Sequence, residues 1–301
     1  MNVSIIVFSP TGNTLKVGRM LKESLLREKA DVQLLDVTRR RDLLAEVGSR
    51  EHLREEVEPH DVLCIGGPVY AHHMQNRVLR LVKALGPPRR GWGDYAVPFV
   101  TYGTVSSGVA LSETARALHR GGRVPVLAMK IDAHHCYSDV LGANINPGMP
   151  GQEAWPLVRE LARRIVKLPT DGRPTNLASS GDLEYLPWHD RMKSRTLLRE
   201  RLFQALIYPR VELRPDDCTG CGLCEEACPV GRLAVRDGKV TIRADGPSCV
   251  HCGVCVTTCP QKAIVFPGDL SKWARLLRRA ANGKGFIASR EDPKSAVYPI
   301  R

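Results

Sequence analysis

Cysteine is nearly absent from most of this chain: outside residues 218–259 only Cys64 and Cys136 occur. That scarcity excludes a secreted disulfide scaffold, which spreads its cysteines through a short chain. Aromatic residues are few, at 5%, and this argues against the stacking surface that single-stranded nucleic acids require. No helix-turn-helix or RNA-binding signature is present either, so no nucleic-acid partner is expected. No apolar run approaches the roughly 18 residues of a membrane span, so no transmembrane segment is expected. The first residues, Asn2 to Phe8, lack a basic stretch or cleavage pattern and read as a strand, so a cytoplasmic protein is expected.

What is present is a chain of 301 residues, 43% hydrophobic and 25% charged. It is long enough for two domains and apolar enough to bury a core. The net charge of +12 is spread evenly: residues 1–170 hold 23 basic and 17 acidic groups, residues 171–301 hold 21 and 15. A dispersed basic excess suits acidic protein partners.

From residue 2 to about 167, short apolar segments alternate with helical ones. Val3–Phe8, Val32–Val37, Asp61–Gly66, Ala96–Thr101 and Val124–Ile131 read as strands. Helices are expected through Val17, Leu21 and Leu25, near Val78–Leu85, over Val109–Leu118 and over Glu153–Lys167. Five apolar strands alternating with helices predict an α/β fold with a doubly wound parallel sheet, its ligand site at the carboxyl ends of the strands. A Pro/Gly/Ser-rich stretch from Pro169 to Gly181 marks a boundary, and a charged helix is expected over Asp190–Leu206.

Eight cysteines then form two copies of C-x-x-C-x-x-C-x-x-x-C-P: Cys218, Cys221, Cys224, Cys228-Pro229, and Cys249, Cys252, Cys255, Cys259-Pro260. Thiolates at two-residue gaps suit the irons of one cubane. In two-cluster ferredoxins the fourth cysteine ligates the other cluster. The expected ligand sets are therefore Cys218, Cys221, Cys224 and Cys259 for one [4Fe-4S] cluster, and Cys249, Cys252, Cys255 and Cys228 for the second. Gly220, Gly222 and Gly253 allow the backbone to wrap each cluster. Structural zinc also uses C-x-x-C pairs, but it has no use for the middle cysteine or for Cys-Pro in both copies.

Three loops at strand ends carry a second signal. Ser9-Pro10-Thr11-Gly12-Asn13-Thr14 follows the first strand, and small hydroxyl residues before a helix N-terminus suit a phosphate. The loop lacks the lysine of a P-loop and the glycine triplet of a dinucleotide site. Gly66-Gly67-Pro68-Val69-Tyr70-Ala71 follows the third strand, and Thr101-Tyr102-Gly103-Thr104 with Gly108 follows the fourth. Aromatics in glycine-rich loops can stack on a flavin, so the three loops together point to FMN.

Residues 1–167 resemble a flavodoxin, residues 210–267 resemble a two-[4Fe-4S] ferredoxin, and the whole resembles the flavodoxin–ferredoxin fusion proteins. The resemblance implies FMN contacts at Ser9, Thr11, Gly12, Asn13, Thr14, Tyr70, Tyr102 and Gly103. It divides the chain into a flavodoxin-like domain (1–168), a linker with a basic helix (169–209), an α+β dicluster ferredoxin domain (210–267) and a basic tail (268–301). Family members carry a histidine loop after the fifth strand and then Gly-x-Pro, here His134-His135-Cys136 and Gly148-Met149-Pro150. The implied function is electron transfer between two clusters and FMN and on to a redox partner, expected to be an acidic ferredoxin or flavodoxin. The alternative is an FMN-dependent reductase of a quinone or oxidised metabolite, fed by its own ferredoxin domain.

The remaining expectations concern single residues. In the long loop from Asp132 to Gln152, His134, His135 and Cys136 are placed to supply a proton to a flavin-bound substrate or to cover the flavin from water, or else the loop packs on the ferredoxin domain without chemistry. His72 and His73 follow Tyr70 and could lie near the flavin, but read first as solvated, and Cys64 reads as a small core residue. Trp188, His189 and Trp273 are candidates for clamping the domains together. Arg191, Lys193, Arg195, Arg199 and Arg201, or Lys272, Arg275, Arg278 and Arg279, are candidates for steering an acidic partner.

Overall fold

The computed structural model describes residues 1–44, 49–169, 183–196, 208–284 and 295–300. Five parallel strands form the centre: β1 (Asn2–Val7), β2 (Asp31–Asp36), β3 (Val62–Tyr70), β5 (Tyr95–Tyr102) and β7 (Leu127–Asp132). The short strands β4 (His73–Met74) and β6 (Val124–Pro125) pair with β3 and β5. The spatial order β2-β1-β3-β5-β7 reverses direction between β1 and β3. This is the flavodoxin-like doubly wound order, whose ligand crevice opens at that switch point.

Period-two alternation along β1 explains the two layers. Val3, Ile5 and Val7 face one side, where α1 (Asn13–Arg27) and α7 (Trp155–Ile165) pack through Val17, Leu21, Leu25, Val158, Leu161 and Ile165. Ile6 faces the other side, covered by α3 (Ser49–Glu56), α4 (Asn76–Leu85) and α5 (Ala110–Arg120) through Leu53, Val78, Leu81, Leu111 and Leu118. A one-turn helix, α2 (Arg41–Leu44), precedes α3, and another, α6 (Ser138–Leu141), lies in the loop after β7. Cys64 is fully buried in the core.

The basic helix is α8, Trp188–Thr196, so its expected extension over 197–206 lies outside the described residues. The linker at 170–182 lies outside them too. The cysteine block follows as β8 (Glu212–Leu213), α9 (Leu223–Ala227), β9 (Leu233–Arg236), β10 (Lys239–Ile242), α10 (Val254–Thr258) and β11 (Ile264–Val265). β9 and β10 form a hairpin about Asp237-Gly238, both with positive φ, and β8 pairs with β11.

The tail is more ordered than the sequence suggests. After α11 (Leu270–Arg279) the chain returns as β12 (Ala296–Pro299), antiparallel to β7, adding a sixth strand to the five expected. Among the described residues, no helix is long and apolar enough to cross a membrane.

Candidate functional site

A cavity of about 450 Å³ opens at the carboxyl ends of β1, β3 and β5, the size of a cofactor site. Thr11 and Asn13 come from the loop after β1, Pro68 to Ala71 from the end of β3, and Thr101, Tyr102 and Gly103 from the end of β5. Tyr70 and Tyr102 are buried, so their rings serve as walls rather than surface. The Asn13 amide donates to the His134 carbonyl at 3.0 Å and ties the first loop to the histidine loop.

Four expected contact residues stand off the cavity wall. Ser9 closes the end of α1: its Oγ accepts the Leu15 N–H at 2.9 Å, and its own N–H donates to Thr38 Oγ1 at 2.8 Å. The Thr14 hydroxyl is buried 2.7 Å from that of Thr101. Gly12 takes φ +85° at the N-cap of α1, with open space where a side chain would be. Gly108 is pressed against the His72 backbone. All four shape the loops rather than line the space.

The far wall comes from the histidine loop, which the sequence does connect with the flavin, and from segments it does not. His134 to Tyr137, the Tyr208-Pro209 corner, His251 from the second cysteine motif, and Trp273, Leu276, Leu277 and Arg279 of α11 complete it. His135 packs so closely on Gly103 that a Cβ there would sit 2.5 Å from the imidazole. Burial lowers the pKa of His135 to about 4 and pushes the Cys136 thiol up to about 12, so both are neutral near pH 7. Burial thus favours the thiol over the thiolate at Cys136.

Two smaller cavities lie in the cysteine block. One is lined by Cys218, Cys221, Cys224 and Cys259, the other, of about 300 Å³, by Cys228, Cys249, Cys252 and Cys255. Each thus collects three cysteines of one motif and the fourth of the other. Backbone amides point at sulfur in both: Gly220 N–H to Cys218 Sγ at 3.4 Å, Arg232 N–H to Cys228 Sγ at 3.2 Å, and His251 N–H to Cys249 Sγ at 3.3 Å. Such amides stabilise sulfur carrying negative charge. Gly222 and Gly253, both at positive φ, start α9 and α10 in equivalent places. Among the described residues, no three His, Cys, Asp or Glu side chains gather as ligands of a single ion. The thiols of the Cys228, Cys249, Cys252 and Cys255 quartet surround space for a cubane, whereas those of the Cys218 quartet close around a cavity of about 10 Å³.

Several single-residue expectations change. His73 is not solvated: its ring nitrogens meet Glu113 at 2.9 Å and the Ser194 carbonyl at 2.8 Å, linking α5 to α8. His72 is half-buried on the cavity wall, its pKa lowered to about 4 by desolvation. Trp188 is 70% exposed and clamps nothing, whereas Trp273 lines the cavity. Arg191 and Arg195 pair with Glu184, and Lys193 pairs with Asp190, so α8 spends its charge within the chain. Arg199 and Arg201 lie outside the described residues. Lys272, Arg275, Arg278 and Arg279 stay exposed on α11.

One chemically loaded residue escapes the sequence reading. Lys130, in the middle of β7, is fully buried. Its ammonium donates to Ser107 Oγ at 3.2 Å and lies 4.1 Å from the centre of the Tyr185 ring and 5.4 Å from that of Tyr102. Burial brings its pKa down to about 7, with Asp132 opposing the shift. A lone lysine in an apolar strand was the available signal.

Residues 217–264 match the family of 4Fe-4S dicluster domains. An uncharacterized ferredoxin of Methanocaldococcus jannaschii is 60% identical over 25 residues, 8% of this chain and 40% of its own length. The chain therefore matches less than half of that relative. Solved structures similar to the first half include a flavodoxin from an archaeon, at 17% identity over 55% of this chain and 99% of that one, TM-score 0.34. Oxidised flavodoxin 1 from Bacillus cereus shows 14% identity over 56% and 99%, TM-score 0.39. An NADH:FMN oxidoreductase in its apo form shows 15% over 61% and 98%, TM-score 0.40. By its strand order and by the dicluster family match downstream, the chain is a flavodoxin-like domain fused to a 4Fe-4S ferredoxin domain.

Proposed function

We propose that this protein is an electron carrier that holds FMN in the large cavity and two [4Fe-4S] clusters on the two cysteine quartets, and passes electrons on to a redox partner. The observation that carries this reading is the shared wall. His251, from inside the second cysteine motif, lines both the large cavity and the cavity of Cys228, Cys249, Cys252 and Cys255. Bound together, FMN would supply one- and two-electron chemistry and the clusters one-electron chemistry.

The residues divide the work. Thr11 and Asn13 line the cavity at the N-terminus of α1, the position for a phosphate, where the helix dipole favours an anion. Tyr70 and Tyr102 hold the ring system, and the His134–Tyr137 loop and α11 keep water from it. The four basic side chains exposed on α11 make that face the approach for an acidic partner in the cytoplasm. In this reading the domains run 1–168 and 210–267, with 169–209 between them and 268–301 as a basic tail whose β12 pairs with β7 of the first.

Replacing Thr11 by valine removes one donor to the phosphate with little change in volume. Flavin affinity is expected to fall about tenfold, as for a hydrogen bond to a charged group, with iron content unchanged. Thr14→Val breaks the buried contact with Thr101 and is expected to cost stability more than affinity. Equilibrium titration of FMN into the apoprotein, alongside thermal unfolding, separates the two effects. An apoprotein that takes up no FMN refutes the reading.

A second reading is favoured by the histidine loop on the cavity wall: a reductase handing electrons from FMN to a small oxidised molecule. Saturable oxidation of the reduced protein by a quinone would select it over protein-only transfer.

A further inference from the structure

The two cysteine quartets stand in unequal relation to the large cavity. Cys252 is buried and packs in the same apolar cluster as Tyr70, with Cys136 beside it. The Tyr137 hydroxyl donates to the His251 carbonyl at 2.6 Å, and the Cβ position of Gly253 is 3.4 Å from the Tyr137 ring. The second motif is thus seated on the histidine loop without a gap.

Among the described residues, the other quartet shares no lining residue with the large cavity. Its Cys221 is exposed, beside Leu223 at 42% exposure. It meets the inner quartet instead, through the cluster of Cys224, Leu233, Val240 and Ile264 against which Cys218, Cys255 and Cys259 pack.

We infer that the chain is an ordered wire: a one-electron donor protein meets the surface at Cys221 and Leu223, and the contact from the inner quartet to the flavin runs through the Val250–Cys252 segment onto Cys136 and Tyr137. The inference rests on the proposed occupancy of the cavity by FMN. Electron tunnelling falls steeply with distance and favours packed protein over gaps, so the order of packing sets the order of transfer. Each encounter oxidises the donor by one electron and reduces this chain by one. Two encounters, with protons drawn from solvent, deliver the pair of electrons that full reduction of a flavin requires. The histidine loop then serves as the seat of this contact, with no chemistry asked of its neutral His135 and Cys136.

The test uses the full chain loaded with FMN and clusters, half-reduced, and reads the spin relaxation of the one-electron-reduced flavin by electron paramagnetic resonance. A reduced cluster close by speeds that relaxation. The double variant Cys249→Ala/Cys252→Ala should slow it at least fivefold, while Cys218→Ala/Cys221→Ala should leave it within twofold of the native protein. The reverse pattern, or equal slowing in both, overturns the order. Should the inner variant not fold, the outer one decides alone: retained fast relaxation supports the order and its loss overturns it. Flavin is quantified in each sample, and a native protein that binds none overturns the proposed function itself, and this inference with it.

Discussion

Replacing Cys228 with alanine is expected to remove the cluster of the other motif, not its own. Cys228 is only four residues beyond Cys224 in sequence, but it lines the cavity of Cys249, Cys252 and Cys255, while Cys259 lines the cavity of Cys218, Cys221 and Cys224. The reason is local. After α9 and α10 each chain leaves its helix in extended geometry, at Cys228 and at Cys259, and carries the fourth thiol away from the first three. Iron content of Cys228→Ala should fall to about half, since each cubane holds four irons. Pairing substitutions makes the partner legible, because residues serving one site are not additive. Cys228→Ala with Cys249→Ala should lose no more iron than either alone. Cys228→Ala with Cys218→Ala should lose nearly all of it. The opposite pattern would assign each cysteine run to its own cluster.

Stability should rise as pH increases above neutrality, and Lys130 should account for much of the rise. Its pKa is about 7 when folded and 10.5 when free, so between those values the unfolded chain holds a proton that the folded chain does not. The unfolded state then binds more protons, and unfolding becomes costlier by about 1.4 kcal/mol per pH unit. Below pH 7 both states are protonated and the cost of burying the charge is carried in full. Above 10.5 neither is, and that cost is gone. From pH 7 to pH 9 the gain is about 2 to 3 kcal/mol. Lys130→Met, which fills the same space without a charge, should flatten this rise whatever its effect at a single pH. Denaturant unfolding of both proteins at pH 7, 8 and 9 measures the two slopes. Parallel slopes would mean that Asp132 keeps the lysine charged throughout.

The strands and the cysteine quartets were legible because their signals are local. Apolar runs of six to eight residues bounded by glycine and proline give β1, β3 and β5 within a residue or two at most places, although β3 continues to Tyr70. Helix periodicity placed Val17, Leu21 and Leu25 on the buried face of α1. The three loops were legible as small-residue punctuation at strand ends, and the cavity does open on them. The fate of Ser9 and Thr14 was not, because a hydroxyl near a helix N-terminus serves a cap or a core pair as readily as a ligand. The far wall was invisible for a different reason. Tyr208, His251 and α11 reach the cavity only through contacts between segments far apart in sequence, such as Tyr137 with Tyr208 and with His251, and nothing in their own sequence marks them as its wall. β12 was missed because four residues, Ala296 to Pro299, form a strand only against the free edge of β7.

Cofactor content decides whether the two chemistries meet on this chain. Anaerobic reconstitution of the full chain with iron, sulfide and FMN, followed by gel filtration and quantification of each, should yield about eight irons and about eight sulfides per chain. It should also yield one tightly bound flavin released only by denaturation. A chain that retains the iron but elutes free of flavin, at FMN concentrations well above those that saturate flavin carriers, would contradict the joining of the two chemistries on this protein.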